Sequence, residues 1–461
     1  MINIYNFQFK KKDAGEWQME KDYQGVDVLF FAEEKLLKQM DEEVFIQARN
    51  VAQLPGLAGP VNIMPDAHSG YGAPIGTVFA MDKDEGFVSP GAVGYDINCG
   101  MRLILTNLFV DEVKDKLNYL VNHLFEAVPP GLGRRGFLTI SRQELKSLVE
   151  EGVGRLVKKG IGWPQDQEKI EENGMIAGAS LSAVSPQAIE RGISQLATLG
   201  SGNHYLEIQK VEKIFDSLIA EQLGIKSVNQ IVVMVHCGSR GFGHQICSNY
   251  LRMFEKKLDQ FKIKMADRQL VCAPIDSPAG RQYLAAMASA ANFAFVNRQA
   301  ITYQIRKTFE KVFNKKAEDL GMSLVYDLAH NIAKFEGNFL IHRKGATRSF
   351  PETPVILGGS METGSYLLVG TEEALTKSYG STAHGSGRTM SRTKAKKLIK
   401  GEKLWREMKD KGIYVKSASF AGLAEEAGLA YKNIAEVVNS IELAGLSKSV
   451  AYLKPIGNIK G

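Results

Sequence analysis

Glycine makes up 45 of the 461 residues, and it is gathered into short loops at 64–102, 199–208, 235–245, 327–348, 356–370 and 380–392. Apolar strand-like runs and amphipathic helical stretches lie between them. Glycine lets a backbone come close to a bulky group, and loops rich in it are common where ligands bind. Six such loops spread over about 330 residues constrain the fold strongly, because they can act together only if the chain returns repeatedly to one place. The expectation is one large domain over 1–461, with residues 110–195 as a largely helical excursion that has no clean boundary.

The runs 61–64, 76–80 and 101–105 read as short strands, and 231–235 (Ile-Val-Val-Met-Val) reads as a buried β-branched strand ending at His236. Residues 141–159 and 279–313 have helical spacing, the second being long and Ala-rich, with a break left open. The tail 423–444 reads as one more helix, followed by a short strand near 450–453. Strands and helices do not alternate strictly, so the fold class is α+β, with mixed sheets, surrounding helices and a central cleft.

Hydrophobic content of 44% and charged content of 23% are ordinary for a globular chain. No apolar run has membrane-spanning length, and residues 1–10 lack the order of a signal peptide, so the expected location is cytoplasmic with no membrane partner. Four cysteines cannot build a disulfide scaffold; Cys237, Cys247 and Cys272 sit in apolar surroundings, whereas Cys99 lies in a Gly-rich loop three residues after Asp96. A net charge of +6 permits a nucleic-acid partner without requiring one.

The segment Gly380-Ser-Thr-Ala-His-Gly-Ser-Gly-Arg-Thr-Met-Ser-Arg392 sets His384 among small residues, with Arg388 and Arg392 behind it. Arginines clamp phosphate oxygens bidentately, and an imidazole there can attack phosphorus and carry the group covalently. A solvated surface turn is the plain alternative. Upstream, Asp96, Cys99, His204, His236 and His330 all lie in the glycine-rich segments. A carboxylate, a thiolate and three imidazoles suit Mn, Zn, Co or Ni better than Mg or Ca. Five ligands exceed a structural tetrahedron, and a bridging Cys99 would let them hold two ions. His123 and His244 read as ordinary polar residues.

These segments resemble the RtcB family of RNA-splicing ligases over nearly the whole chain. The resemblance is carried by Met64-Pro-Asp-Ala-His-Ser-Gly-Tyr-Gly72, Val88-Ser-Pro-Gly-Ala-Val-Gly-Tyr-Asp-Ile-Asn-Cys-Gly100 and Leu199-Gly-Ser-Gly-Asn-His-Tyr205. It continues through His236-Cys-Gly-Ser-Arg-Gly-Phe-Gly-His-Gln245, His342-Arg-Lys-Gly-Ala-Thr-Arg348, Gly359-Ser-Met361, the His384 loop and Asn458-Ile-Lys-Gly461. It implies a GTP- and Mn²⁺-dependent ligase joining RNA 3′-phosphate or 2′,3′-cyclic phosphate ends to 5′-hydroxyl ends through an RNA(3′)pp(5′)G intermediate, in RNA repair or tRNA splicing. An archease-like helper is a possible partner.

By resemblance, Asp96, Cys99 and His204 hold one ion, and Cys99, His236 and His330 the other. His384 becomes guanylylated, while Glu207, Ser365 and Lys460 read guanine. Asn203, Asn331, the stretch Gly358, Gly359, Ser360 and Met361, and the stretch Gly385, Ser386 and Gly387 contact nucleotide and metal-bound phosphate. Arg240, Arg388 and Arg392 clamp RNA phosphates, and Asp66 and His68 stand behind the ligands. Two departures flank the nucleotide loop: Gly358 stands where the family commonly has proline, and Glu362 where it commonly has glycine. The alternatives are an enzyme that only caps 3′-phosphate ends, and an inactive nucleotide- or RNA-binding homologue.

Overall fold

The computed structural model describes residues 1–131, 133–261 and 263–461. Two eight-stranded sheets organise it. The first runs in spatial order Ile2–Ile4, Phe7–Asp13, Glu16–Met19, Val28–Phe31, Val61–His68, Ile75–Asp82, Phe339–Lys344, Asn331–Glu336. All its pairings are antiparallel except that of Val28–Phe31 with Val61–His68. The second runs Leu324–Ala329, Gly100–Phe109, Gln230–Cys237, Tyr205–Ile214, Ser447–Lys460, Ser365–Gly370, Pro354–Leu357, with Tyr414–Ser417 added parallel to Ser447–Lys460. The turn from Leu324–Ala329 into Asn331–Glu336 carries the chain from one sheet to the other at His330. These mixed sheets with their flanking helices make the fold α+β.

The helix Pro278–Phe313 is unbroken over 36 residues, about 54 Å at 1.5 Å per residue, where the sequence left a break open. Ser277 caps it by accepting the Gly280 N–H, Pro278 stands at its first turn, and Asn314 ends it in the left-handed region. It is buried all round over 286–302. Its small alanines leave room for Asn292, Asn297 and Arg298, whose polar ends are all bonded.

Three expectations are corrected. The tail 423–444 is two helices, Phe420–Glu425 and Ile434–Leu443, because the segment between them turns to face the site. The strand expected near 450–453 extends over Ser447–Lys460, since it pairs with Tyr205–Ile214 along nearly its whole length. Residues 141–159 likewise divide at Gly152, which has φ +64°, into Arg142–Glu151 and Val153–Lys158. The named elements within 110–195 are helices, with no named strand among the described residues there. No helix among the described residues is long and apolar enough to cross a membrane.

Candidate active site

Strand register explains how five dispersed residues meet. In the second sheet Gly100 pairs with Cys237 and with Ala329, Met101 pairs with His236, and His236 pairs with Tyr205. His330, Cys99, His236 and His204 therefore stand within one residue of a common row across four adjacent strands. Lys460 extends the row, because it pairs with Tyr205 from the next strand. The backbone locks it: the His330 N–H donates to the Cys99 carbonyl at 2.8 Å and the Asn98 N–H to the Asn331 carbonyl at 2.7 Å.

The donor atoms converge as two sets sharing the thiol. Cys99, His236 and His330 form one and Asp96, Cys99 and His204 the other, with the atoms of each set within 4.8 Å of one another. Cys99 Sγ lies 3.2 Å from His236 Nε2 and 3.4 Å from His204 Nε2, and His236 Nε2 lies 3.2 Å from His330 Nε2. Asp96 Oδ2 is 2.7 Å from His204 Nε2. His204 Nδ1 faces the Leu199 carbonyl at 3.1 Å, which orients the ring with Nε2 toward the cluster.

Charge in the cluster fits divalent cations. Burial, aided by neighbouring positive charge, pushes His236 and His330 well below the usual histidine range, so both are the neutral imidazoles that ligate metals. Burial opposes ionisation of Asp96, yet the facing His204 holds its carboxyl below its usual range. Burial, with the Asp96 charge adding to it, pushes the Cys99 thiol up to about 12. A shared cation would reverse that last shift, because the thiolate is the ligating form. Borderline metals bound by N, S and O donors suit this set.

Beneath the cluster, Arg298 of the long helix acts as a hub. It is fully buried and donates to the carbonyls of Asn98 and Cys237, to Asn98 Oδ1 and to both oxygens of Asp327. One guanidinium thus ties the Asp96–Cys99 loop, the end of the His236 strand and the strand leading to His330.

His384 follows the short strand Ser381–Ala383, which pairs with Ala346–Arg348. Its loop is zipped to the 358–364 loop: the Ser386 N–H donates to the Gly358 carbonyl at 3.1 Å. Buried Asp66 anchors it, Oδ2 accepting the N–H groups of His384 and Gly385 at 3.1 and 3.2 Å. The same oxygen lies 2.6 Å from His384 Nδ1, within ion-pair range but off the ring N–H direction. Gly387, at φ +67°, passes so close that a Cβ would strike the Asp66 carbonyl. Burial opposes ionisation of Asp66, but His384 and its hydrogen bonding hold the carboxyl below its usual range. The His384 ring stands 4.9 Å from that of His330.

His384 therefore lies where two cavities adjoin. One is lined by the Gly358–Met361 and Gly385–Arg388 stretches, with Glu426, Tyr431 and Lys460. The other is lined by the five donors with Asn203, Asn331, Arg240 and Arg392. Asn203, His68 and His236 border both. Gly202, at φ +71°, lies against the Arg392 guanidinium, and Arg392 donates to Asn203 Oδ1 at 2.9 Å.

Several expected residues take places that sequence did not specify. Asp66 serves His384 rather than a metal donor. His68 is a neighbour of both cavities, and burial brings it down to about 4. Arg388 faces the Gly358 cavity, donating to Tyr431 Oη at 3.0 Å and the Glu425 carbonyl at 2.8 Å, whereas Arg240 and Arg392 face the metal donors. Glu207 and Ser365 stand behind the cavity wall. Gln209 donates to Glu207 at 2.6 Å and to Ser365 at 3.2 Å, and Asn458 also donates to Glu207. Glu362 points away from the cavity, accepting from Lys411 at 2.7 Å and the Gly428 N–H at 2.8 Å.

Tyr431, Glu426 and Arg298 escaped the sequence reading, because no motif marks them and their positions depend on how the tail and the long helix pack. His244, read as ordinary, stacks on Tyr95 at 4.8 Å and lines the metal-side cavity.

Fold and site define a class: an α+β protein with two adjoining buried donor sets suited to transition metals, facing a carboxylate-anchored histidine at the mouth of a second cavity. Residues 47–461 match the family described as tRNA-splicing ligase RtcB. The chain belongs to the RtcB family. A protein named tRNA-splicing ligase RtcB from Nanoarchaeum equitans is 47% identical over 99% of this chain and 100% of its own length. Proteins of the same name from Archaeoglobus fulgidus (46%, covering 98% of each chain) and Methanococcus maripaludis (46%, covering 96% of each) are similarly close.

Proposed function

We propose that this chain is an RNA ligase that joins 3′-phosphate or 2′,3′-cyclic phosphate ends to 5′-hydroxyl ends, using GTP, in tRNA splicing or RNA repair. The observation that carries the reading is the placement of His384 between the two cavities with its loop anchored on Asp66. A group taken up from one side can be handed to the other without leaving the histidine. Family membership supports the same activity.

Two Mn²⁺ ions would be held by Asp96, Cys99 and His204 and by Cys99, His236 and His330, where they would supply charge neutralisation for phosphate oxygens. His384 attacks the α-phosphorus of GTP; the N–P bond forms, the α–β bridging P–O bond breaks and pyrophosphate leaves. Asp66, with its carboxyl held ionised, keeps the loop and ring in place. An oxygen of the RNA 3′-phosphate then attacks the same phosphorus, breaking the N–P bond and giving RNA(3′)pp(5′)G. The 5′-hydroxyl of the second strand attacks the RNA phosphorus, loses its proton and releases GMP. A cyclic phosphate is opened by water first. Arg240 and Arg392 position RNA phosphates; Lys460 and Tyr431 line the guanosine side, with Glu207 and Ser365 behind it. We place the enzyme in the cytoplasm, with an archease-like helper as a candidate partner.

The test is covalent labelling with α-labelled GTP and Mn²⁺, comparing wild type with His384→Ala on a denaturing gel without acid. An acid-labile wild-type band absent from the variant is the expected result. No wild-type band, with metal occupancy verified, overturns the guanylylation route. Supplying paired RNA ends then separates sealing from capping, since an enzyme that only caps accumulates RNA(3′)pp(5′)G.

A further inference from the structure

The positive charge of this chain is concentrated in one place. Residues 392–416 carry ten basic and three acidic side chains, a net +7, whereas the whole chain is only +6. The segment forms the helices Arg392–Leu398 and Gly401–Asp410 and the strand Tyr414–Ser417. Between these helices and Phe420–Glu425 lies an open groove of about 650 Å³, rimmed by Lys396, Lys400, Lys403, Arg406, Glu402 and Phe420. Phe420 is 49% exposed. Lys396 pairs with Glu425, and Lys403 lies 3.7 Å from Glu407. Lys394, Lys397, Lys400 and Arg406 are exposed with no acidic partner among the described residues.

One helix links the groove to the site. Arg392, which reaches Asn203 in the metal-side cavity, opens the helix whose far end enters the groove. Seven helical residues span about 10 Å, the length of about three stacked nucleotides. Lysines and an arginine along a track, with an exposed aromatic face beside them, are the chemistry that holds single-stranded nucleic acid without reading its sequence.

We propose that this groove binds the single-stranded RNA segment a few nucleotides from the reacting end, with Lys400, Lys403 and Arg406 on phosphates and Phe420 stacked on a base. The inference rests on the ligase reading for the identity of the strand.

The test is fluorescence anisotropy with labelled 5′-hydroxyl RNAs of about 4 and about 20 nucleotides, using the full chain loaded with Mn²⁺. The variants are the triple Lys400→Ala, Lys403→Ala, Arg406→Ala and the single Phe420→Ala. For the longer RNA the triple variant should bind at least about tenfold more weakly, with the slope of log K against log salt reduced by about 2. Phe420→Ala should weaken it roughly fivefold or more. Both variants should bind the short RNA as wild type does and label normally with GTP, showing an intact fold. Unchanged affinity and salt slope for the longer RNA overturn the proposal and reassign the face to protein contacts. If wild type fails to label with GTP while the length-dependent loss holds, the ligase reading fails and the groove stands.

Discussion

Asp66 and Glu207 show how far one buried carboxylate can differ from another in the same chain. Asp66 has a histidine and two N–H groups to stabilise its charge. Replacing it by Asn removes that charge while keeping the size, and guanylylation should slow about 10²-fold or more with bound metal unchanged. Equal labelling rates would remove Asp66 from the reaction. Glu207 is fully buried, and burial raises it from 4.5 to about 7, against the pull of Gln209, Lys460 and Asn458. Between about pH 5 and pH 7 the folded chain therefore keeps a proton that the unfolded chain has released. Stability should fall as pH rises through that window, by about 3 kcal/mol in full. Glu207→Gln should remove that component, seen as a smaller loss of urea stability between pH 5 and pH 8. An identical pH slope in the variant would place the titration elsewhere.

The informative element is the helix Pro278–Phe313, which carries no donor yet positions four of them through Arg298. Arg298→Ala leaves five acceptor contacts unmet and takes one of two arginines from Asp327, so a loss of about 3–5 kcal/mol in urea unfolding is expected. Arg298→Lys keeps the charge but lacks the fork. It should recover much of the stability while weakening metal affinity by about 10- to 100-fold, measured as Mn retained after dialysis. Full metal affinity in Arg298→Lys would show that the charge alone suffices. The alanine-rich run 279–313 is legible as a helix from its spacing, but its continuity is not: what keeps it unbroken is the surrounding protein, which satisfies its buried polar side chains.

At the scale of the whole molecule, the donors come from one strand of one sheet, from the loops that enter its two neighbours and from the turn that leads into the other sheet, while Asp66 lies in that other sheet itself. A chain organised as one domain should show a single calorimetric unfolding transition. Saturating Mn²⁺ at about 100 times its dissociation constant should stabilise it by about 2.7 kcal/mol for each ion bound, and a chelator should reverse the gain. Two transitions, only one of them shifted by metal, would divide the chain in two.

Asp96, Cys99, His204, His236, His330 and His384 are legible in the amino-acid order because their chemistry demands particular side chains in glycine-rich settings, and local composition records that demand. The α+β class follows as well, from periodicity that local residues alone create. Which partner each residue serves is another matter. The common row of four donors arises from strand register, the duty of Asp66 toward His384 from the packing of a strand against a distant loop, and the outward turn of Glu362 from Lys411 just past the end of a later helix. Tyr431 and Glu426 reach the cavity only because the tail breaks between Phe420–Glu425 and Ile434–Leu443. Such contacts join residues tens to hundreds of positions apart, and long-range pairing is decided by the folded whole, where each hydrogen bond and buried charge must be met at once.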